Sequence, residues 1–219
     1  PQTFTGNPGI YVVQYFTSKG YAVLRPNPRG STGYGKDFRY ANFKDWGFGD
    51  YEDIMSGVDK VIEMGVADQK RLAVMGWSYG GYMTSFVVTR TDRFKAASMG
   101  AGLPNLISMT STTDISNYLV AHMGDEFWND YKTYEKHSAI YRIKNVVTPT
   151  QILHGENDLR VPFTQGQEFY GALKRKGVST EMVVYPRTPH GPREPKLLMD
   201  VSPRILTWLD KYINRSTDR

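Results

Sequence analysis

The chain has no cysteine among its 219 residues. A disulfide framework and a thiolate metal site are therefore excluded, and a reducing compartment is permitted. The chain also has no apolar run that approaches the roughly 18 residues of a membrane-spanning helix, so we expect no membrane insertion. Its first residues carry neither a signal pattern nor an initiator methionine. We expect a cytoplasmic protein whose sequence is a processed or excised piece.

Charge of one sign is not concentrated anywhere in the sequence. The formal net charge is +5, but the basic residues are scattered along the chain. The tightest basic cluster, residues 174–176, falls at the predicted end of a helix, where cations oppose the helix dipole. We interpret this cluster as a solvated helix end, and we expect no nucleic-acid partner.

Nucleotide and metal motifs are also missing. The glycine-rich loop at residues 25–35 resembles a phosphate-binding loop in composition, but it contains neither G-x-x-x-x-G-K-[ST] nor a full G-x-G-x-x-G. Histidine and carboxylate residues show no metal-ligand spacing. We therefore assign no cofactor and no metal.

Short apolar runs alternate with helical patterns along the chain, which is typical of an α/β protein with a mostly parallel, doubly wound sheet flanked by helices. The predicted strands are residues 21–24, 71–76, 94–99, 150–154 and 181–185.

Helices are predicted around these strands, the first at residues 8–19. We expect Asp50 to cap the second helix, Thr164 and Gln167 to form a capping box, and Ser202 with Pro203 to open the closing helix. The stretch from 102 to 147 shows no clear alternation, and a long excursion between core strands is commonly a pocket wall.

Residues 76–81 read Gly-Trp-Ser-Tyr-Gly-Gly and lie between a predicted strand and a predicted helix. A G-x-S-x-G in this context is the nucleophile elbow of an α/β-hydrolase, in which a strained turn lifts Oγ of Ser78 above the sheet edge. Gly76 and Gly80 are expected because side chains at these positions would collide. The amide of Tyr79 begins the helix and faces the charge that develops on a substrate carbonyl oxygen.

A serine nucleophile needs a histidine base and an acid that orients the base, in the chain order Ser, Asp or Glu, His. Of the four histidines, His190 lies in the loop after the last predicted strand, where this fold delivers its base. His154 ends a strand and is expected to be packed or hydrogen-bonded locally. His122 and His137 are expected to be surface residues of the excursion.

The acid is expected in the loop after the strand at 150–154. Asp158 is the first choice there, and Glu156 is the alternative. Each of the three predicted triad residues follows a different strand end, and active sites of open α/β sheets assemble at that edge.

With these residues in place, the sequence resembles the catalytic domain of the prolyl oligopeptidase family of serine peptidases, nearest its acylaminoacyl-peptidase-like and dipeptidyl-peptidase-like branches. The matching motifs occur in family order and cover nearly the whole chain; they are residues 20–23, 27–35 and 76–82, Asp158 with 161–162, and 190–191.

The resemblance implies that Ser78, Asp158 and His190 form the catalytic triad and that the Tyr79 amide is an oxyanion donor. It further implies that the segment from Leu103 to Tyr118 and residue Val161 help to line the substrate pocket. The predicted pocket residues are Trp77, Leu103, Leu106, Met109, Tyr118 and Val161.

Two departures from the family pattern shape our expectations. We expect residues 1–219 to be a single α/β-hydrolase domain that is incomplete at its amino terminus and has no β-propeller. In the resembling proteins a His-Gly-Gly-Pro-like turn supplies the second oxyanion donor, and this chain begins at the proline of that turn. A central strand is missing by the same comparison, and a homo-oligomer that completes the sheet is one candidate for filling the gap.

Three functions fit these observations. The first is a serine hydrolase that cleaves small peptides or acyl-amino-acid bonds through an acyl-enzyme on Ser78. The second is a carboxylesterase that acts on small acyl esters with the same triad. The third is an inactive truncated remnant, which the incomplete amino terminus favours and the intact triad opposes.

Overall fold

The computed structural model describes residues 10–213, in which helices alternate with parallel strands. The strands are β1 (Leu72–Trp77), β2 (Phe94–Gly100), β3 (Thr150–Gly155) and β4 (Thr180–Tyr185). The helices are α1 (Val13–Thr17), α2 (Lys36–Tyr40), α3 (Gly49–Glu63), α4 (Tyr79–Val88), α5 (Leu106–Thr112), α6 (Ser116–Met123), α7 (Tyr131–His137), a 3₁₀ helix (Ala139–Asn145), α8 (Phe163–Lys176) and α9 (Pro195–Ile213).

The sheet has the order β1-β2-β3-β4, and every neighbouring pair of strands is parallel. Trp77 at the end of β1 is in register with Gly100 of β2, which is in register with Leu153 of β3. The carboxyl ends of the strands therefore meet at one edge. Loops that leave β1, β3 and β4 start from this edge and bring their side chains together.

The sheet buries both of its faces, because successive side chains of a strand point to opposite sides. In β1, Val74 packs with the cluster that includes α3, α4 and α8, whereas Met75 packs with the cluster that includes α1 and α9. This two-sided burial agrees with the predicted doubly wound α/β architecture. Among the helices between residues 10 and 213, none has the length and apolar character that crossing a membrane takes.

Residues 21–24 are a correction to the sequence analysis, because the structure contains no strand there. Tyr21 and Val23 pack against the α1 and α9 cluster, but no neighbouring strand within residues 10–213 pairs with this segment. An apolar run such as this one has β-propensity by itself. A strand forms only where a second backbone lies alongside and supplies hydrogen bonds. The helix predicted at 8–19 is shorter in the described part of the chain, and residues 8 and 9 lie outside the described residues.

Three predicted helix starts are also wrong. Helix α3 begins at Gly49, whose amide donates to the carboxylate of Asp45 at 3.0 Å, so Asp50 lies inside the first turn. Helix α8 begins at Phe163, one residue before Thr164, and has no side-chain cap. Helix α9 begins at Pro195 and contains Pro203 in its interior.

Burial of the apolar face of α9 offsets the energetic cost of the interior Pro203. A proline inside a helix costs about 3 kcal/mol because it removes a backbone donor and crowds the preceding turn. The apolar face of α9 buries Val201, Ile205 and Leu209 on the sheet, and each fully buried side chain of this size contributes about 1.5–3 kcal/mol. Packing therefore outweighs the local signal for a helix start.

Candidate active site

Ser78 occupies the sharp turn between β1 and α4. Its backbone dihedrals are φ 61° and ψ −118°, a conformation that non-glycine residues adopt only at a cost of about 1–3 kcal/mol. Two backbone hydrogen bonds hold the turn, from the Ser78 amide to the Gly100 carbonyl at 2.9 Å and from the Tyr82 amide to the Ser78 carbonyl at 2.8 Å. The structure therefore has the strained elbow that the G-x-S-x-G pattern predicts.

The glycines of the elbow differ in what they avoid. A Cβ at Gly76 would lie 2.4 Å from backbone atoms of Gly80, which confirms the predicted crowding at that position. A Cβ at Gly80 would meet no atom within 4 Å outside its own helix, so the prediction for Gly80 is wrong. The second sterically required glycine is Gly81, where a Cβ would lie 2.2 Å from the carbonyl oxygen of Gly100. This contact lets α4 pack closely on β2.

His190 connects Ser78 with Asp158. Its Nδ1 lies 2.8 Å from Oδ2 of Asp158, and its Nε2 lies 2.8 Å from Oγ of Ser78. Because a carboxylate only accepts hydrogen bonds, Nδ1 carries the proton, and Nε2 is left to accept from the serine hydroxyl. This arrangement is suited to removing the proton of Ser78 during nucleophilic attack.

Asp158 is buried and lies in a tight turn after β3. Its Oδ1 accepts hydrogen bonds from the amides of Arg160 and Val161, both at 2.9 Å, and its Oδ2 faces the imidazole of His190. The alternative acid, Glu156, instead accepts a hydrogen bond from the amide of Arg187. The structure thus brings Asp158, and not Glu156, to the histidine.

His154 is buried beside the same turn, as the sequence analysis expected of a locally bonded histidine. Its Nε2 donates to the carbonyl of Val161 at 2.8 Å and lies 3.7 Å from Oδ2 of Asp158. Burial lowers the pKa of His154, so the imidazole is neutral. His154 consequently ties the end of β3 to the turn that holds Asp158, a role that we did not predict.

Trp77, the residue before Ser78, contacts the loop that carries His190. Its indole Nε1 donates to the carbonyl oxygen of His190 at 2.7 Å, and its ring packs with the cluster that includes α9. Because Trp77 ends β1, this hydrogen bond fixes the base relative to the strand that carries the nucleophile. The sequence predicts Trp77 as a pocket residue, and in the structure its indole is hydrogen-bonded to the His190 loop.

Tyr79 begins α4, so its amide belongs to the first turn, whose amides have no partner within the helix. The hydroxyl of Tyr79 donates to Oδ2 of the buried Asp50 and lies 3.4 Å from Nδ2 of Asn42. Burial raises the pKa of Asp50 to about 6. The sequence analysis missed this contact, although Asp50 precedes Ile54 and Val58 at helical spacing and therefore lies on the apolar face of α3.

The two remaining histidines have different surroundings. His137 is buried, with Nδ1 2.6 Å from the carbonyl of Trp46, so its assignment to the surface is wrong. Contacts with the Trp46 carbonyl and with the ring of Phe48, at a centroid distance of 5.1 Å, cover the imidazole. His122 is partly exposed, and its ring contacts that of Tyr118 at a centroid distance of 4.3 Å, with the two planes tilted by 42°.

The predicted pocket residues do not share one environment. Leu103, Leu106 and Met109 are buried in the core cluster, with exposed fractions of 5%, 0% and 3%. Val161 is buried, and its amide donates to the carboxylate of Asp158. Tyr118 is exposed, and its hydroxyl lies near the guanidinium of Arg39. Leu106 and Met109 have almost no accessible surface to offer a substrate. Their assignment to a pocket wall therefore stays a prediction that this structure does not favour.

The turn expected to supply the second oxyanion donor would end at Pro1, which lies outside the described residues. Within residues 10–213, no group of three or more histidine, aspartate or glutamate side chains could hold a metal ion.

Comparison with known proteins gives the same picture of the chain. The sequence profile of the prolyl oligopeptidase family matches residues 10–216. The uncharacterized peptidase YuxL of Bacillus subtilis (strain 168) is 36% identical over 218 residues, which are 97% of this chain and 33% of that protein. The acylamino-acid-releasing enzyme of Arabidopsis thaliana is 35% identical over 207 residues, which are 90% of this chain and 27% of that protein.

A solved structure is similar over nearly the same part. The puromycin-hydrolyzing peptidase of Mycobacterium tuberculosis aligns with a TM-score of 0.87 and 32% identity, covering 91% of this chain and 30% of that one. The chain therefore spans about a third of the length of the relatives that it matches.

Proposed function

Because the chain belongs to the prolyl oligopeptidase family, with its α/β-hydrolase sheet, we propose that it is a serine peptidase domain that cleaves peptide or acyl-amino-acid bonds. The observation that carries the proposal is the continuous path of hydrogen bonds from Ser78 through His190 to Asp158. The strained elbow supports it further, because such strain persists where the surroundings enforce it for function.

Acylation begins when Oγ of Ser78 attacks the substrate carbonyl carbon while Nε2 of His190 takes the hydroxyl proton. The carbonyl π electrons move to the oxygen, which becomes an oxyanion that faces the amide of Tyr79. The intermediate collapses when the carbon–nitrogen bond breaks and His190 gives its proton to the leaving amine. Water then attacks the carbonyl carbon of the acyl-enzyme while His190 takes a proton from the water. The bond from that carbon to Oγ of Ser78 breaks as His190 returns the proton to Oγ, which releases the carboxylic acid and restores the free serine.

Asp158 orients the imidazole and stabilises its positive charge while the intermediate exists. Its two backbone donors hold the carboxylate in place, so its remaining oxygen stays directed at Nδ1 of His190.

The names of two relatives support a proposal for the substrate class. They refer to the release of acylated amino acids and to the hydrolysis of puromycin. We propose small N-acylated amino-acid amides and short peptides as substrates of this chain.

A fluorophosphonate probe tests the proposal, with Ser78→Ala as the control. We expect labelling of the native chain and none of the variant, because the probe reacts only with an activated serine. An N-acyl amino-acid anilide and the matching ester then compare amide and ester cleavage in the same sample.

The outcomes separate the three functions. Turnover of both substrates, lost in Ser78→Ala, supports the peptidase. Turnover of the ester alone favours a carboxylesterase with the same triad. A folded chain that neither labels nor turns over either substrate contradicts the proposal and favours the inactive remnant.

A further inference from the structure

Asp50 is a buried carboxylate that the proposed mechanism does not use. Its side chain lies in the first turn of α3 with an exposed fraction of 0%. Its donors are all uncharged: the hydroxyl of Tyr79 and the amides of Tyr51 and Gly47. The chain thus keeps an anionic group in its core without a cation among these donors.

Such a group is costly to the fold. Burial disfavours the charged form, which is why the pKa of Asp50 is raised to about 6. An uncompensated buried charge is destabilising, and well-packed neutral residues in such places are often neutral or stabilising. Stability alone therefore gives little reason for an aspartate at this position, and the contacts of Tyr79 offer another.

Those contacts reach the elbow directly. Tyr79 follows Ser78, and its ring is held at the edge of Trp46 at 4.8 Å and against Tyr82 at 5.4 Å between centroids. Its hydroxyl is fixed by Asp50 and faces Nδ2 of Asn42. Because the side chain of Tyr79 is held at both its ring and its hydroxyl, the position of its Cα is fixed. The backbone amide of Tyr79 is attached to that Cα, so its orientation is fixed as well.

The strain at Ser78 makes this restraint useful. A φ of 61° persists only when the surrounding structure over-determines it. The amide of Ser78 donates to the Gly100 carbonyl, and the carbonyl of Ser78 accepts from the Tyr82 amide, so both backbone groups of Ser78 are fixed. The link between Asp50 and Tyr79 holds the next residue, whose amide must point at the oxyanion rather than relax with the turn.

We propose that Asp50 is a positioning residue for hydrolysis, which anchors the hydroxyl of Tyr79 so that the Tyr79 amide is directed at the oxyanion. This inference rests on the proposed hydrolase function. It assigns Asp50 no contact with substrate, because its effect passes entirely through Tyr79.

Three variants and one control test the proposal in the chain as it exists. Asp50→Asn keeps the size of the side chain but replaces an acceptor oxygen by a donor, and Tyr79→Phe removes the hydroxyl alone. The double variant completes a cycle that measures their coupling. Tyr134→Phe is the matched control, because this buried phenol lies in α7 and donates to the carbonyl of Asp125 instead.

We measure kcat and KM with an acyl-amino-acid anilide, the inhibition constant of a peptide trifluoromethyl ketone that forms an oxyanion on Ser78, and the melting temperature. Deleting an oxyanion donor costs about 10²- to 10³-fold in rate, and a misdirected donor costs less. We therefore expect Asp50→Asn and Tyr79→Phe each to lower kcat about 10-fold, with KM unchanged and inhibitor affinity reduced in parallel.

The double variant should be no slower than the slower single variant, because both substitutions break one link. Tyr134→Phe should lower the melting temperature but leave kcat as it is. Unchanged kcat in both Asp50→Asn and Tyr79→Phe, or an equal loss in Tyr134→Phe, would overturn the proposal while the hydrolase function stands. A native chain that neither turns over nor labels would overturn both, and Asp50→Asn keeps the test valid if Tyr79→Phe fails to fold.

Discussion

Two buried aspartates lie close to Ser78, each separated from it by one intermediate residue, and they are held differently. Asp158 receives two backbone amides and faces the imidazole of His190, a group that becomes cationic during the reaction. Asp50 receives backbone amides and the phenol of Tyr79, which burial and the Asp50 charge keep protonated by raising its pKa. The two aspartates thus differ in their partners: His190 gains a positive charge during the reaction, whereas Tyr79 stays neutral.

This contrast separates two uses of a buried carboxylate. The charge of Asp158 gains a countercharge at the moment when His190 takes the serine proton, so its effect is largest in the transition state. The charge of Asp50 meets no such change, and its proposed effect is geometric. Substitutions at the two sites should therefore differ greatly in size, and three predictions sharpen the comparison.

The largest effect is expected for Asp158→Asn. The amide cannot accept from Nδ1 of His190 in the same way as a carboxylate, so the imidazole loses both its tautomer and its countercharge. We expect kcat to fall by about 10⁴-fold. The measurement is anilide hydrolysis, and circular dichroism of the same sample controls for folding. If kcat fell by less than about 10-fold, the two aspartates would contribute equally to the rate, and the proposed contrast between them would be wrong.

A smaller effect is expected for His154→Phe. Phenylalanine keeps an aromatic ring at this position but cannot donate a hydrogen bond, so the carbonyl of Val161 loses its buried donor and the turn that directs Asp158 loosens. We expect kcat to fall by about 10-fold with KM unchanged, since a positioning group costs less than a reacting one. His154→Gln can still donate to that carbonyl and should recover most of the loss. Equal activity of both variants and the native chain would contradict the role of His154.

The smallest effect is on the pH dependence of stability, and it isolates Asp50. Because its folded pKa of about 6 exceeds the usual 3.8, the folded state binds the proton more tightly than the unfolded state. Its favourable contribution is present below pH 3.8 and is lost as the pH rises through about 6. Asp45 and Tyr79 face the same group, and the nearby Asp45 charge adds to the rise.

Asp50→Asn removes this titration. The melting temperature of the variant minus that of the native chain should therefore become more positive between pH 4 and pH 7, by a few °C. A change of 1 kcal/mol shifts the melting temperature by about 2–4 °C in a domain of this size. A difference that stays constant, or that falls, across this range would show that Asp50 does not titrate as described.

Elements of the fold that depend on local sequence patterns could be predicted from the sequence. The runs that form β1 to β4 were identified from the sequence because each is apolar, short and bounded by turn residues. The run at residues 21–24 has the same local character, yet it does not form a strand. Pairing requires a second backbone from elsewhere, and no local pattern states whether that backbone is present.

The residues of the site likewise fall into two groups, those that local patterns predict and those that depend on contacts between distant elements. Ser78, Asp158 and His190 were predicted because each follows a strand end in a fixed chain order. Asp50 was predicted as a helix cap, since an aspartate at a helix start has that role in most local contexts. Only the position of Tyr79, which comes from a different element, makes Asp50 an acceptor for a phenol. The supporting contacts of an active site are long-range, and local patterns do not contain them.

The hydrogen bond from Trp77 to the carbonyl of His190 has an optical consequence. The emission of an indole responds to its hydrogen bond and to the polarity around its ring. The chain has four tryptophans, and Trp77 is adjacent to the nucleophile and bonded to the base. Its fluorescence is therefore an intrinsic reporter of the distance between β1 and the His190 loop, readable without any label during acylation of Ser78.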